Sequence, residues 1–489
     1  MILKIISKYG LAAHLGFLAA SPVAFAPFLD AGALGRLVLW LSLFVVVWML
    51  FDPSLRMGEH SADARKRVAM ELVRDPFLWF FILVVAFAIV RWLNSGIALR
   101  YDAEQSAWLV QEAAAPALPA SAGEAGFLPM VAAVGLGVFV LGVRHAIGMN
   151  ARLFCGLTTV VGTGLGGLVA AGGYCLGYFP SLSKASVVGI VQSPFIGTAF
   201  GFFLVLSVVC GMEAERRKWP AARLPYVLAV SGNASGLVFF SPPIETVVFL
   251  AVTLLLGTYS AVYCARVGTL GGFARTVVFT LLGLSVPVLL VLGLSSPELQ
   301  QAKLQGLDPE LIFPVEYGSL NEAWARIAKG AWLEHPWCGT GVGAFGLHVP
   351  FLATKADWAL LPARPDHALS GYWTLLAERG IVGCSFLAIG LGLLIWFWIA
   401  RLIEAIASLR ANDDGEKLPF ACPPVVWTAP FSIALAATVL FFSHAFASIA
   451  IVFAFVAPLA LSAASFPRNV RPQVPVSVSD ESDLNKEGK

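Results

Sequence analysis

An all-α integral membrane protein is predicted, with about twelve transmembrane helices and a large, partly helical outer loop between spans nine and ten. Three observations carry this. Hydrophobic residues make up 58% of the 489 positions and charged residues only 13%, well below the charged share of a soluble chain. Apolar stretches of about twenty residues recur, each long enough to cross a hydrocarbon core of about 30 Å. Residues 296–379 then break the recurrence with one long, mostly polar segment. A net charge of +2 argues against nucleic acid as a partner.

The elements follow in order. An N-terminal bundle, 1–295, holds nine candidate spans at 11–29, 33–51, 76–93, 127–143, 153–176, 185–210, 224–240, 244–264 and 276–295. The first imitates a signal peptide, with Lys4 and Lys8 ahead of an apolar run ending in Ala24-Phe25-Ala26. Pro22 and Pro27 spoil the cleavage pattern, so an uncleaved span is expected. Residues 94–126 run into Ala- and Pro-rich sequence and read as a flexible linker. After the loop, 380–466 holds three spans at 380–400, 425–444 and 446–466. The polar tail 467–489 reads as disordered.

Basic residues set the orientation. Arg65, Lys66, Arg67, Arg74, Arg144 and Arg152 fall in alternate connections with Arg216, Arg217, Lys218, Arg223, Arg266, Arg275, Arg401, Arg410 and Lys417. With both termini, this set takes about two-thirds of all Lys and Arg, which places it and the termini in the cytoplasm. Residues 94–126 and 296–379 are then outside. The seven cysteines form no CxxC pair, so neither a zinc site nor a disulfide framework is expected. Two GxGxxG matches, Gly162–Gly167 and Gly341–Gly346, lack the strand–turn–helix context of a dinucleotide site. The first is better read as a close helix crossing.

Within the loop, Trp324, Ile327, Ala328, Ala331 and Trp332 recur at helical spacing over 321–334 and predict an amphipathic helix on the outer leaflet, facing lipid or the bundle. Glu322, Arg326 and Lys329 fall on the other side, where Glu322 is the natural i,i+4 partner of Arg326. Gly339, Gly341 and Gly343 make a turn that either brings backbone amides to a ligand or merely connects tightly. A second helix, Ser370 to Arg379, follows Arg364-Pro365-Asp366-His367. If it begins near His367, that histidine heads a polar stripe with Thr374 and Glu378 and becomes a candidate general base.

Arg326, His335-Pro336, Gly339-x-Gly341-x-Gly343-x-Phe345, then Asp366-His367, Tyr372, Leu375, Glu378, Gly380 and Gly383 resemble, in order and spacing, the signature region of the O-antigen ligase/polymerase superfamily. The resemblance spans about sixty residues. It implies a metal-independent and cofactor-free glycosyltransferase in the bacterial inner membrane. The donor would be a polyprenyl-diphosphate-linked glycan; the acceptor, a hydroxyl on a lipid-A core, a growing polysaccharide or a protein. By the same resemblance His367 activates the acceptor and Arg326 binds the diphosphate. Lys329, Arg364, Asp366, Tyr372, Glu378 and Arg379 are further substrate-binding candidates. Family members commonly carry another arginine at the outer end of a span before the loop. The corresponding corner here, Ser241-Pro242-Pro243-Ile244-Glu245, has none, which implies a divergent donor, compensation by Arg91 or Lys184, or an inactive paralogue. A lipid-linked glycan exporter and a catalytically impaired paralogue are the alternatives; a haem-handling protein using His335, His348 and His367 is a remoter one.

Overall fold

The computed structural model describes residues 2–51, 69–102, 107–113, 118–147, 149–176, 194–216, 218–241, 243–266, 270–294, 317–358, 370–411, 428–442 and 449–464, with 115 and 361. Residues 296–316, 362–369 and the tail lie outside this set, so Arg364, Asp366 and His367 do too, as does Lys184.

The chain forms a predominantly helical membrane protein. Its helices are α1 (Ile2–Ala24), α2 (Ala31–Phe51), α3 (Pro76–Leu93), α4 (Phe127–Leu141), α5 (Met149–Cys175), α6 (Pro194–Arg216), α7 (Arg223–Phe240), α8 (Pro243–Arg266) and α9 (Leu270–Leu294). The polar segment supplies α10 (Tyr317–Glu334), α11 (Phe345–Leu352) and the single turn α12 (Lys355–Trp358). Then come α13 (Gly371–Ala411), α14 (Thr428–Phe442) and α15 (Ile449–Ala464). Among the described residues six helices are long and apolar enough to cross a membrane, and five shorter ones are apolar.

The bundle centre is α7, whose Val230–Leu237 face is buried among α5, α6 and α9. Small residues permit this. A Cβ on Gly232 would stand 1.7 Å from the Gly164 carbonyl oxygen, so α5 and α7 touch backbone to backbone. The first GxGxxG match is thus the expected crossing.

Helix α3 joins two polar clusters at opposite ends of the bundle. At its start Asp75 accepts from the Phe77 amide at 2.9 Å and from Arg144 Nε at 2.8 Å, and it pairs with His145. Nearby, buried Arg152 donates to the carbonyls of Val143 (3.0 Å), Arg144 (3.1 Å) and Ala464. Those carbonyls lie at helix ends, where oxygens lack intrahelical partners. Arg152 is therefore a satisfied structural arginine. At the far end of α3 sits Arg91.

Residues 94–126 depart from the linker expectation. They contain an antiparallel hairpin, β1 (Ala98–Asp102) with β2 (Ala107–Gln111). Buried Asn94 pins its root, donating to the carbonyls of Ala115 (3.0 Å) and Pro119 (3.2 Å) and accepting from the Ala115 amide at 3.2 Å. Composition suggested flexibility, but one asparagine closes both ends of the segment.

Candidate functional site

Helix α10 buries Trp324, Ile327, Ala328 and Ala331 of the predicted stripe and leaves its fifth member, Trp332, half-buried. The covering is protein rather than lipid. Trp324 lies 5.9 Å from the Phe345 ring, and the stripe forms one core with Val349 of α11 and Ala377 of α13. Its polar side holds Arg326 and Lys329, a helix diameter of about 10 Å away from that core.

Arg326 pairs with Asp357, not with Glu322. The partner comes from the α12 turn because a capping box prepares it. Asp357 accepts from the Thr354 amide at 2.6 Å and its hydroxyl at 2.7 Å, while the Asp357 amide faces the Thr354 hydroxyl at 3.4 Å. The Arg326 hydrogen bond, together with those from Thr354, holds the Asp357 carboxyl down at about 2. A depressed carboxylate contributes stability above its unfolded pKa of about 3.9, and that contribution is lost as pH falls through the folded value. Amide protection over 354–358, relative to intrinsic exchange, should therefore fall between pH 4 and 2. Asp357→Asn should show the lower protection already at pH 7 and little further loss.

The glycine turn spends its amides on protein. Gly339, Gly341 and Gly343 take φ of +76°, +108° and +74°, a region that other residues enter at a steric penalty. Thr340 and Gly341 donate to the carbonyls of Ala377 (2.8 Å) and Glu378 (3.2 Å), and Val342 donates to Ala120 at 3.2 Å. The last contact belongs to a bridge between Ser121 and Val342, which ties the root of the hairpin to the turn.

Opposite the turn, α13 is broken at Gly380, with φ 61° and ψ −169°. The break frees Ile381 and Val382 to donate to the carbonyls of Pro336 and Trp337, both at 3.0 Å. Gly339 and Gly380 face each other so closely that a Cβ on either would meet backbone at 2.4 Å. The polar segment and the start of the next long helix are thereby one unit.

Three charged groups meet inside that unit. Glu378, 4% exposed, accepts from the Gly343 amide at 3.1 Å and from that of Phe345, capping α11. Arg379 follows it directly, and among the described residues its buried Nε has no hydrogen-bond partner. Arg91, 2% exposed, reaches in from α3. Its guanidinium lies 4.9 Å from the Phe87 ring centre, and among the described residues Nη2 donates only to the Cys338 carbonyl, at a long 3.5 Å. Its Nε has no hydrogen-bond partner either. Gly383 makes the room: a Cβ there would lie 3.5 Å from Arg91 Nη2 and 2.6 Å from Arg379 Cβ. Among the described residues this cluster holds two guanidiniums and one carboxylate. An excess buried cation is costly unless an anion joins it. Arg152, bonded to three carbonyls, shows how this chain satisfies an arginine that is only structural.

The polar segment also pairs His348 Nδ1 with Glu334 Oε2 at 3.0 Å. Burial draws the His348 pKa below its ordinary value, and Glu334 opposes that shift. The pair escaped sequence reasoning because His348 follows Glu334 by fourteen residues with a turn between.

Of the predicted site residues, Glu378 and Arg379 are brought together, joined by Arg91. Tyr372 is exposed, and Arg326 and Lys329 lie on the far side of α10. Compared with protein-family models, curated proteins and solved structures, the chain matches none.

Proposed function

We propose that this protein is a membrane glycosyltransferase of the O-antigen ligase/polymerase type, moving a polyprenyl-diphosphate-linked glycan onto a hydroxyl acceptor. In this reading twelve spans cross the bacterial inner membrane, both termini are cytoplasmic, and α10–α12 lie on the outer face. The observation that carries it is the Arg91–Glu378–Arg379 cluster, with its excess buried positive charge. A diphosphate leaving group is concentrated negative charge, and planar guanidiniums meet it with paired hydrogen bonds.

The reaction is a displacement at the anomeric carbon. The acceptor oxygen forms the new glycosidic bond, and the old carbon–oxygen bond breaks with its electron pair leaving on the diphosphate. The hydroxyl proton passes to a base, the role assigned to His367. Arg91 and Arg379 stabilise the departing charge, while Glu378 caps α11 beside them. Arg91 thus supplies the cation missing from the Ser241–Glu245 corner. Arg326, already bound to Asp357, is better suited to fixing α12 than to holding the diphosphate.

A strain lacking the gene tests this, scored together for lipopolysaccharide banding, secreted polysaccharide and glycoprotein mobility. Loss of one product, with lipid-linked donor accumulating on the outer leaflet, is the expected result and names the acceptor class. Accumulation on the inner leaflet would identify an exporter instead. His367→Ala should reproduce the deletion with protein level unchanged. Arg326→Ala should retain partial transfer.

A further inference from the structure

The hairpin β1–β2 presents an aromatic face that no part of the described protein covers. Partner residues Leu99 with Val110 and Tyr101 with Trp108 share one face; Arg100 with Leu109 shares the other with Asp102 and Gln111. At the root Val110 packs on the small core of Ile97, Ala120 and Ala344. Further out Tyr101 and Trp108 stack edge to face across the strands, ring centres 5.4 Å apart, yet they remain 49% and 60% exposed. Leu99 is exposed beside them.

Such a face would be unusual on a strand pair standing in water. Isolated hairpins are marginally stable, and exposed aromatic strand faces invite association. Its position names the occupant. Helix α3, apolar enough to cross a membrane, ends in exposed Trp92 and Leu93. Only residues 94–97 separate that end from β1, a reach of at most about 14 Å. Leu118, exposed on the returning chain, extends the same apolar band. Asn94 and the Ser121–Val342 bridge fix both ends of the segment, so the band cannot swing away from the end of α3.

We infer that the hairpin is an interfacial anchor whose Leu99–Tyr101–Trp108 face rests in the lipid surface at the end of α3. Tyrosine and tryptophan favour that depth because their rings are apolar and their polar edges reach water. Arg100 and Asp102, on the reverse face, then point to the aqueous side. Through Ser121 the anchor also sets the height of the glycine turn, and so of the Arg91–Glu378–Arg379 cluster, relative to the lipid headgroups. The inference does not depend on the proposed reaction.

Photo-crosslinking tests it in the full-length protein. Tyr101 and Trp108 are each replaced with p-benzoylphenylalanine, and Arg100 likewise as the opposite-face control. The proteins are placed in nanodiscs of phosphatidylethanolamine and phosphatidylglycerol with radiolabelled acyl chains. Labelling at 101 and 108 should exceed that at 100 by at least about fivefold, from the alternation of strand faces. Equal labelling at all three positions, or none at 101 and 108, overturns the inference. So does crosslinking of 101 and 108 in native membranes to a soluble glycan or protein in place of lipid. Using two positions guards against one variant failing to fold.

Discussion

Replacing Arg91 with methionine is expected to lower glycan transfer by at least about 100-fold, the scale of losing one preorganised donor to a developing charge. The same change should leave thermal stability unchanged or raised. Among the described residues Arg91 has one long hydrogen bond and an unpartnered Nε, and its attraction to Glu378 and the Phe87 ring is opposed by burial and by like-charged Arg379, so the net stabilisation lost is small. Glu378→Gln should behave oppositely. It removes the negative charge that faces Arg379 and Arg91 and weakens the acceptor of the Gly343 amide, and a hydrogen bond to a charged group contributes about 1.5–3 kcal/mol. Measured together, the two variants separate function from folding. Full transfer by Arg91→Met at normal protein level would remove the diphosphate assignment. A marked loss of stability in Arg91→Met would make it a structural residue like Arg152.

Gly380→Ala is expected to unfold the junction between the polar segment and the long helix. Its φ of 61° and ψ of −169° lie in a region open essentially to glycine alone, where backbone strain is of order 1–3 kcal/mol. The added Cβ would also stand 2.4 Å from the Trp337 carbonyl oxygen, which is backbone and cannot swing aside. Gly339→Ala meets the same obstacle from the other side, at φ 76° and 2.4 Å from the Glu378 carbonyl carbon. Gly392, on the same long helix, has nothing within 4 Å of an added Cβ. Gly392→Ala should therefore be neutral or gain about 0.5–1 kcal/mol. A thermal melt of the three purified variants, with limited proteolysis near 335–345, checks the contrast. Equal melting of all three would show that the Gly339–Gly380 contact does not hold the junction together.

Much of the architecture is local and could be read from residue types. Apolar stretches place the helices, since each predicted span range overlaps one. Spacing on α10 named the side chains that become buried. The Gly339–Gly343 triplet marked positions that take positive φ, although not what its amides would bind. Where local reasoning failed, the deciding contact was distant in the chain. Ala- and Pro-rich composition at 94–126 gave no sign of a hairpin pinned by Asn94. Arg326 found Asp357, thirty-one residues on, in preference to the Glu322 one turn away.

The sequence by itself determined that this is a helical membrane protein with a polar segment rich in candidate chemistry, because hydropathy and helical period are properties of neighbouring residues. Only the tertiary structure decided which cation from the bundle meets that segment. Arg91 and the Cys338 carbonyl are 247 residues apart, and an arginine in the last turn of an apolar helix reads simply as an interface residue. Packing α3 against α13, across the space left by Gly383, turned it into half of a buried pair of guanidiniums. The excess of charge there is a property of the assembled fold, since no stretch of the chain contains it.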